Sequence, residues 1–258
     1  MQHSCAIAIV RVDENIDAKE GGATLESSTF RSVKGRKIKS FLFGNGGPTA
    51  LVIGGIHGDE EPGVELAEEL INYLSANQSV DSQGRVVVMP VANPDGLAVG
   101  TRVNARGIDI NRNFPTKDFG TGYLGKNCYS GKSAASEPET VAILEMVSQF
   151  RPRIITAFHS ELGCVNFDGP ALKVAEMISK ANGLPVRKEL GYKTPGSLGT
   201  YYGVEQHKPV ITLELLPEDE QWRRHKTAIL MMIDLLVSSA KTPVKLVYNW
   251  DWKMPGRA

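Results

Sequence analysis

Residues 51–63 read Leu51-Val52-Ile53-Gly54-Gly55-Ile56-His57-Gly58-Asp59-Glu60-Glu61-Pro62-Gly63. The stretch starts as an apolar run, breaks at glycines and ends on a Pro-Gly pair. Leu51 to Ile53 predict a buried strand. Pro62 and Gly63 predict a helix start, because the first helical turn does not need the N–H that proline lacks. Ala67, Leu70, Ile71 and Leu74 then repeat with the spacing of one helical face. Strand, tight loop and helix in that order form the unit from which α/β sheets are built.

The same alternation recurs on both sides. Lys37 to Phe43 alternates polar and apolar residues and predicts a strand, closed by the turn cluster at 44–48. Val86 to Met89 predicts a buried strand stopped by Pro90. Ser136-Glu137-Pro138-Glu139 has the spacing of a capping box and predicts a helix to about Gln149. Ile154 to Phe158 and Val210 to Leu213 read as strands; 171–182 and 218–239 read as helices. Upstream, Cys5 to Val12 predicts an edge strand and Asp13 to Ser28 a polar loop. The expected fold is a single α/β domain, with a mixed, mainly parallel central sheet between helical layers. Residues 30–258 would form this domain, and residues 1–29 an extension or edge strand without an assigned role.

Composition narrows the function classes. A chain of 258 residues with 41% hydrophobic and 22% charged residues is an ordinary globular composition, which excludes disordered, collagenous and disulfide-scaffold classes. Lys plus Arg and Asp plus Glu both number 29, so there is no bulk attraction to nucleic acid or anionic membrane, and neither is expected as a partner. Cys5, Cys128 and Cys164 are too scattered for a disulfide framework and suit a reducing compartment. No apolar run approaches the ~18 residues of a membrane span, and the short apolar stretch at Cys5 lacks the basic flank of a signal peptide.

Polar residues gather at the strand ends. His57 and Glu60 follow the strand at 51–53, His159 ends the strand at 154–158, and Glu214 ends the strand at 210–213. In open α/β sheets, sites form beyond the carboxyl ends of strands. His57 and Glu60, three apart, can bind one ion, and His159 completes a three-ligand set that leaves a position open on a catalytic zinc. A lone His-x-x-Glu is more often accidental; His159 and Glu214 after buried strands turn the balance. Arg102 to Pro115 holds three arginines and three asparagines in fourteen residues. Guanidinium groups there could hold a carboxylate and a developing oxyanion. Arg106 reads as a surface residue, and Asp109 and Asn113 as loop-fixing residues. Cys164 reads as a small buried residue, His207 and His225 as loop and helix-surface residues, and Trp222, Trp250 and Trp252 as packing.

Gly54 to Glu60, Asn93-Pro94-Asp95-Gly96, Gly107 to Phe114, His159-Ser160 and Thr212 to Leu215 resemble, in order, motifs of the zinc carboxypeptidase superfamily typified by carboxypeptidase A. Gly191 to Gly199 and Gly131 to Thr140 narrow the resemblance to bacterial murein tripeptide amidases. That resemblance implies a cytoplasmic hydrolase that cleaves the γ-D-Glu–meso-diaminopimelate bond of L-Ala-γ-D-Glu-meso-diaminopimelate in cell-wall recycling. It implies one Zn2+ per chain on His57, Glu60 and His159, and Glu214 as general base. It implies Arg102 on the scissile carbonyl, Asn111 and Arg112 on the substrate's free terminal carboxylate, and Tyr192 as a mobile cover. Asp59 stands where digestive carboxypeptidases carry an arginine. It is expected either to meet an ammonium group of the substrate or to orient a ligand histidine. Three alternatives stay open: a carboxypeptidase for α-linked peptides, an N-acyl amino acid deacylase of the aspartoacylase type, and an inactive peptide-binding module. Oligomeric state is not legible in the sequence.

Overall fold

The strand–loop–helix unit at 51–63 sits at the centre of the sheet. The computed structural model describes residues 25–77, 84–121, 126–217 and 220–237. Among them are the strands β1 (Leu25–Arg31), β2 (Lys37–Phe43), β3 (Thr49–Ile53), β4 (Arg85–Met89), β5 (Ile154–Ser160), β6 (Cys164–Asp168), β7 (Val186–Arg187) and β8 (Val210–Leu215). The helices are α1 (Glu61–Ala76), α2 (Pro94–Leu97), α3 (Pro138–Phe150), α4 (Leu172–Asn182) and α5 (Gln221–Val237). A π-helical turn spans Gly199–Glu205.

The strands form one sheet in the order β1-β2-β4-β3-β5-β8-β6-β7. The inner four, β4, β3, β5 and β8, are mutually parallel. Antiparallel pairs flank them: β1 with β2 and β2 with β4 on one side, and β6 with β8 on the other. Every residue of β3 is buried, as a strand covered on both faces requires. Its side chains alternate between two apolar layers. Ala50 and Val52 join Leu66, Leu70, Ile178 and Met232 on the side of α1, α4 and α5. Leu51 and Ile53 join Ile110, Phe114, Ile143 and Met146 on the side of α3.

Several expectations need correction. Leu25 to Ser28 lie in β1 rather than in a loop, and β1 straddles the expected boundary at residues 29 and 30. Pairing with β2, with a register shift between Ser27 and Phe30, defines this edge strand; its own residues do not alternate cleanly. The short strands β6 and β7 were not expected. The capping box is not made: α3 starts at Pro138, with Glu137 as a cap residue that makes no side-chain cap bond. Glu137 and Glu139 instead share Asn104, whose Nδ2 donates to them at 2.7 and 3.0 Å. His225 is fully buried rather than on the helix surface, because α5 packs on α4 and brings Asn182 Nδ2 within 3.2 Å of His225 Nδ1. The strand expected at 5–12, and Trp250 and Trp252, lie outside the described residues. No described helix is long and apolar enough to cross a membrane.

Candidate active site

His57 and Glu60 leave the sheet in the loop between β3 and α1. Gly58 makes that loop possible: a Cβ there would overlap the backbone of Gly96, at the end of the Asn93-capped turn α2. Gly58 N donates to Thr101 O at 3.1 Å and ties the loop to the next segment. Glu60 is the cap residue of α1. His159 and Glu214 are paired in register across the parallel strands β5 and β8. The crevice beyond the strand ends therefore collects all four residues, and all four are buried.

Three of them converge on a point. His57 Nδ1 lies 2.8 Å from Glu60 Oε1, His159 Nδ1 lies 2.8 Å from Glu60 Oε2, and the two Nδ1 atoms are 3.1 Å apart. His57, Glu60 and His159 are the group of described residues whose ligand atoms could hold one metal ion. Zinc bonds of about 2.0–2.2 Å put tetrahedral ligands about 3.4 Å apart. A shift of a few tenths of an ångström accommodates the ion. Two imidazoles and a carboxylate match zinc's preference for nitrogen and oxygen donors. Without the ion, burial disfavours the His57 charge, but Asp109 and Glu60 outweigh it and raise its pKa to about 9. Burial likewise opposes the charge on Glu60, and the two histidines hold it well below the usual carboxylate range.

Asp109 ties this cluster to the arginine-rich loop. Its Oδ1 sits 3.1 Å from His57 Nε2 and accepts from Asn111 N at 2.9 Å, and its Oδ2 accepts from Arg102 Nε at 3.0 Å. Arg102 Nη1 also donates to Glu60 Oε1 at 3.3 Å. The carboxylate that orients His57 is thus Asp109, not Asp59. Asp59 is exposed and is not among the residues lining the cavity. Asp109 also fixes its own loop, as its sequence context predicts. Its bond to a histidine 52 residues away carries no local sequence signal.

A cavity of about 640 Å³ opens above the cluster, within the size range of small-ligand sites. Arg102, Asn111, Arg112, Tyr192 and Glu214 line it together with His57, Glu60 and His159. Leu198 N donates to Asn111 Oδ1 at 2.9 Å, which leaves Nδ2 as the amide's donor. Arg112 is buried; its Nη1 donates to Asn111 O at 2.7 Å, and its Nε has no partner. Gly196, at φ +69°, packs so closely on Arg112 O that a Cβ would overlap it, and this stitches the 190s segment over Arg112. Tyr192 is half exposed in that segment. Burial raises the carboxyl pKa of Glu214 above its usual value. Arg106 is on the surface beside Glu137, at 3.4 Å, as expected. Cys164 is buried and paired in register with Glu214, and burial pushes its thiol up to about 11, so it is inert. Asp168 also lines the cavity; the sequence reading did not single it out.

The sheet order and the clustered His, Glu and Arg residues define a zinc carboxypeptidase-like fold with a candidate metal site. Residues 16–172, more than half of the chain, match the family model described as zinc carboxypeptidase, peptidase M14. The chain belongs to this family. It is 32% identical over 167 residues to murein peptide amidase A of Escherichia coli strain K12, a match spanning 59% of this chain and 65% of that protein, just under two thirds of its length. The crystal structure of the murein-tripeptide amidase from Escherichia coli O157 superposes with a TM-score of 0.67 at 26% identity, over 89% of this chain and 98% of that one. The carboxypeptidase A of Helicoverpa armigera shares the fold, with a TM-score of 0.72 at 18% identity over 86% of this chain and 70% of that one.

Proposed function

We propose that this protein is a zinc amidase that hydrolyses the γ-D-Glu–meso-diaminopimelate bond of L-Ala-γ-D-Glu-meso-diaminopimelate, releasing the carboxyl-terminal diamino acid for cell-wall peptide recycling in the cytoplasm. The observation that carries a carboxyl-terminal reading is Arg112. A buried guanidinium beside Asn111, on the wall of the same cavity as Glu214 and the His-Glu-His cluster, is a docking point for a carboxylate. The murein amidase relatives support the choice of peptide.

Zinc held by His57, Glu60 and His159, one ion per chain, would supply Lewis-acid polarisation and acidify a water to a pKa of about 7. The Arg112 guanidinium and Asn111 Nδ2 hold the substrate's terminal carboxylate and set the register of the scissile amide. Arg102, anchored by Asp109 and Glu60, donates its remaining N–H groups to the carbonyl oxygen as negative charge develops there. Glu214 accepts the proton of the attacking water at its carboxylate and returns it to the amine nitrogen as the C–N bond breaks. Tyr192 closes over the substrate from the Gly191 to Gly196 segment and excludes water.

The test is mass spectrometry of zinc-loaded protein with the murein tripeptide, an α-linked L-peptide and an N-acyl amino acid in parallel. Free diaminopimelate from the tripeptide is the expected product. Release from only one of the two controls overturns the substrate.

A further inference from the structure

The connection from β5 to β6 has only three residues, Glu161 to Gly163, yet the two strands are not neighbours: β8 lies between them. Two strand spacings amount to about 9.5 Å. So short a connection is drawn straight across the carboxyl end of β8, where Glu214 is in register with His159 on one side and Cys164 on the other. The Glu161 and Leu162 side chains are exposed, so backbone contacts rather than burial hold this strap in place. Two of those contacts reach carboxylates of the site. Ser160 N, at the end of β5, donates to Glu60 Oε2 at 3.2 Å. Leu162 N donates to the Glu214 carboxylate. Gly163, at φ +57°, then turns the chain into β6 so close to Leu216 that a Cβ would overlap its Cδ2. The left-handed backbone and the neighbour both disfavour a side chain there. Ser160, Glu161 and Leu162 form part of the cavity wall.

We infer that the backbone strap over β8 is a positioning element: its N–H groups on Glu60 and Glu214 set the separation between metal and general base, and Gly163 is the positioning residue that lets the strap close. The inference rests on the general-base reading of Glu214 proposed above. The terminal torsion of a glutamate is broad, so an unbraced carboxylate rotates. An N–H on one oxygen stops that rotation and leaves the other oxygen to take the proton of the water. A base misplaced by a fraction of an ångström loses rate without losing substrate. The strap does this with main-chain groups alone, so its side chains carry no signal for it beyond the glycine.

The test uses zinc-loaded protein with Leu162 replaced by leucic acid, the α-hydroxy analogue that puts an ester oxygen where the N–H was, and Gly163→Ala as a second variant. The murein tripeptide, an α-linked L-peptide and an N-acyl amino acid serve as substrates in parallel. In the ester variant, kcat is expected to fall about 10–100-fold, on the scale of a charged hydrogen bond, with KM within threefold and zinc content unchanged. Gly163→Ala is expected to show the same split. On a Glu214→Gln background the ester should add less than threefold, because the bond acts through that carboxylate. Wild-type kcat in either variant, a loss that comes with lost zinc, or an equal loss on the Glu214→Gln background overturns the strap. NMR of protein labelled at its leucine nitrogens reads the bond without turnover. The Leu162 amide should be protected from exchange in wild type and lose that protection in Glu214→Ala. An unprotected amide, or one that the substitution leaves unchanged, overturns the strap whatever is cleaved. Full turnover in Glu214→Gln beside a protected amide supports the strap as a brace of Glu214 and overturns the general base.

Discussion

At the residue scale, the proposed mechanism divides the site into side chains that hold an ion and side chains that move charge. Glu214 belongs to the second group, so Glu214→Gln should keep its zinc and lose turnover by about 10²–10⁴-fold, the range of general acid–base catalysis. Zinc content by atomic absorption beside single-turnover rates checks it; retained activity would remove Glu214 from the mechanism. Asp109 supports the first group through His57 Nε2. Asp109→Asn should weaken zinc about 10–100-fold in chelator competition, the usual cost of losing a carboxylate behind a ligand histidine. Proton and metal also compete for His57. In the metal-free protein its pKa is raised from 6.5 to about 9, so its contribution to stability is complete below pH 6.5 and lost as pH rises through about 9. A metal needs the neutral ring. The thermal stabilisation conferred by zinc should therefore grow from pH 6.5 to 9, and a flat response across a melting series would contradict it.

At the element scale, the loops after the strands place the chemistry, and close backbone approaches fix those loops. Gly58 against Gly96 is the tightest case at the metal cluster. Gly58→Ala would force the His57 loop off α2. We expect a loss of about 1–3 kcal/mol, as for an overpacked core site, together with weakened zinc binding. Denaturant melts and zinc titration of the purified variant measure both, and wild-type values in both would show that the loop has room. The sequence announced the elements that bury an apolar face: β2, β3, β4, β5, β8, α1, α3, α4 and α5 were legible because their periodicity survives in isolation. The edge strand β1 and the short pair β6 and β7 were not. They owe their conformation to partners across the sheet more than to their own residues.

For the whole molecule, two apolar layers on a mixed sheet, rather than the ion, hold the fold. Removing zinc should leave far-ultraviolet circular dichroism unchanged. Zinc at a thousandfold excess over its Kd adds about 4 kcal/mol. In a chain of this size that amounts to a fall of roughly 8–16 °C in Tm when the metal is stripped. Collapse of the dichroism spectrum on chelation would mean that the cluster is a folding staple instead.

The sequence alone determined the α/β class and the central strand–loop–helix unit, and it pointed to His57, Glu60, His159 and Glu214 as polar residues after buried strands; Arg102, Asn111 and Arg112 it offered only through the family resemblance. The first are readable because each follows a local pattern. Tertiary structure decided what the local chain cannot encode. It put Asp109 rather than Asp59 behind His57, buried His225 between α4 and α5, and gave Asn104 two carboxylates to hold in place of a capping box. Each of these depends on side chains tens of residues apart meeting in a low-dielectric interior, where a partner gained or missing decides the state of a charge.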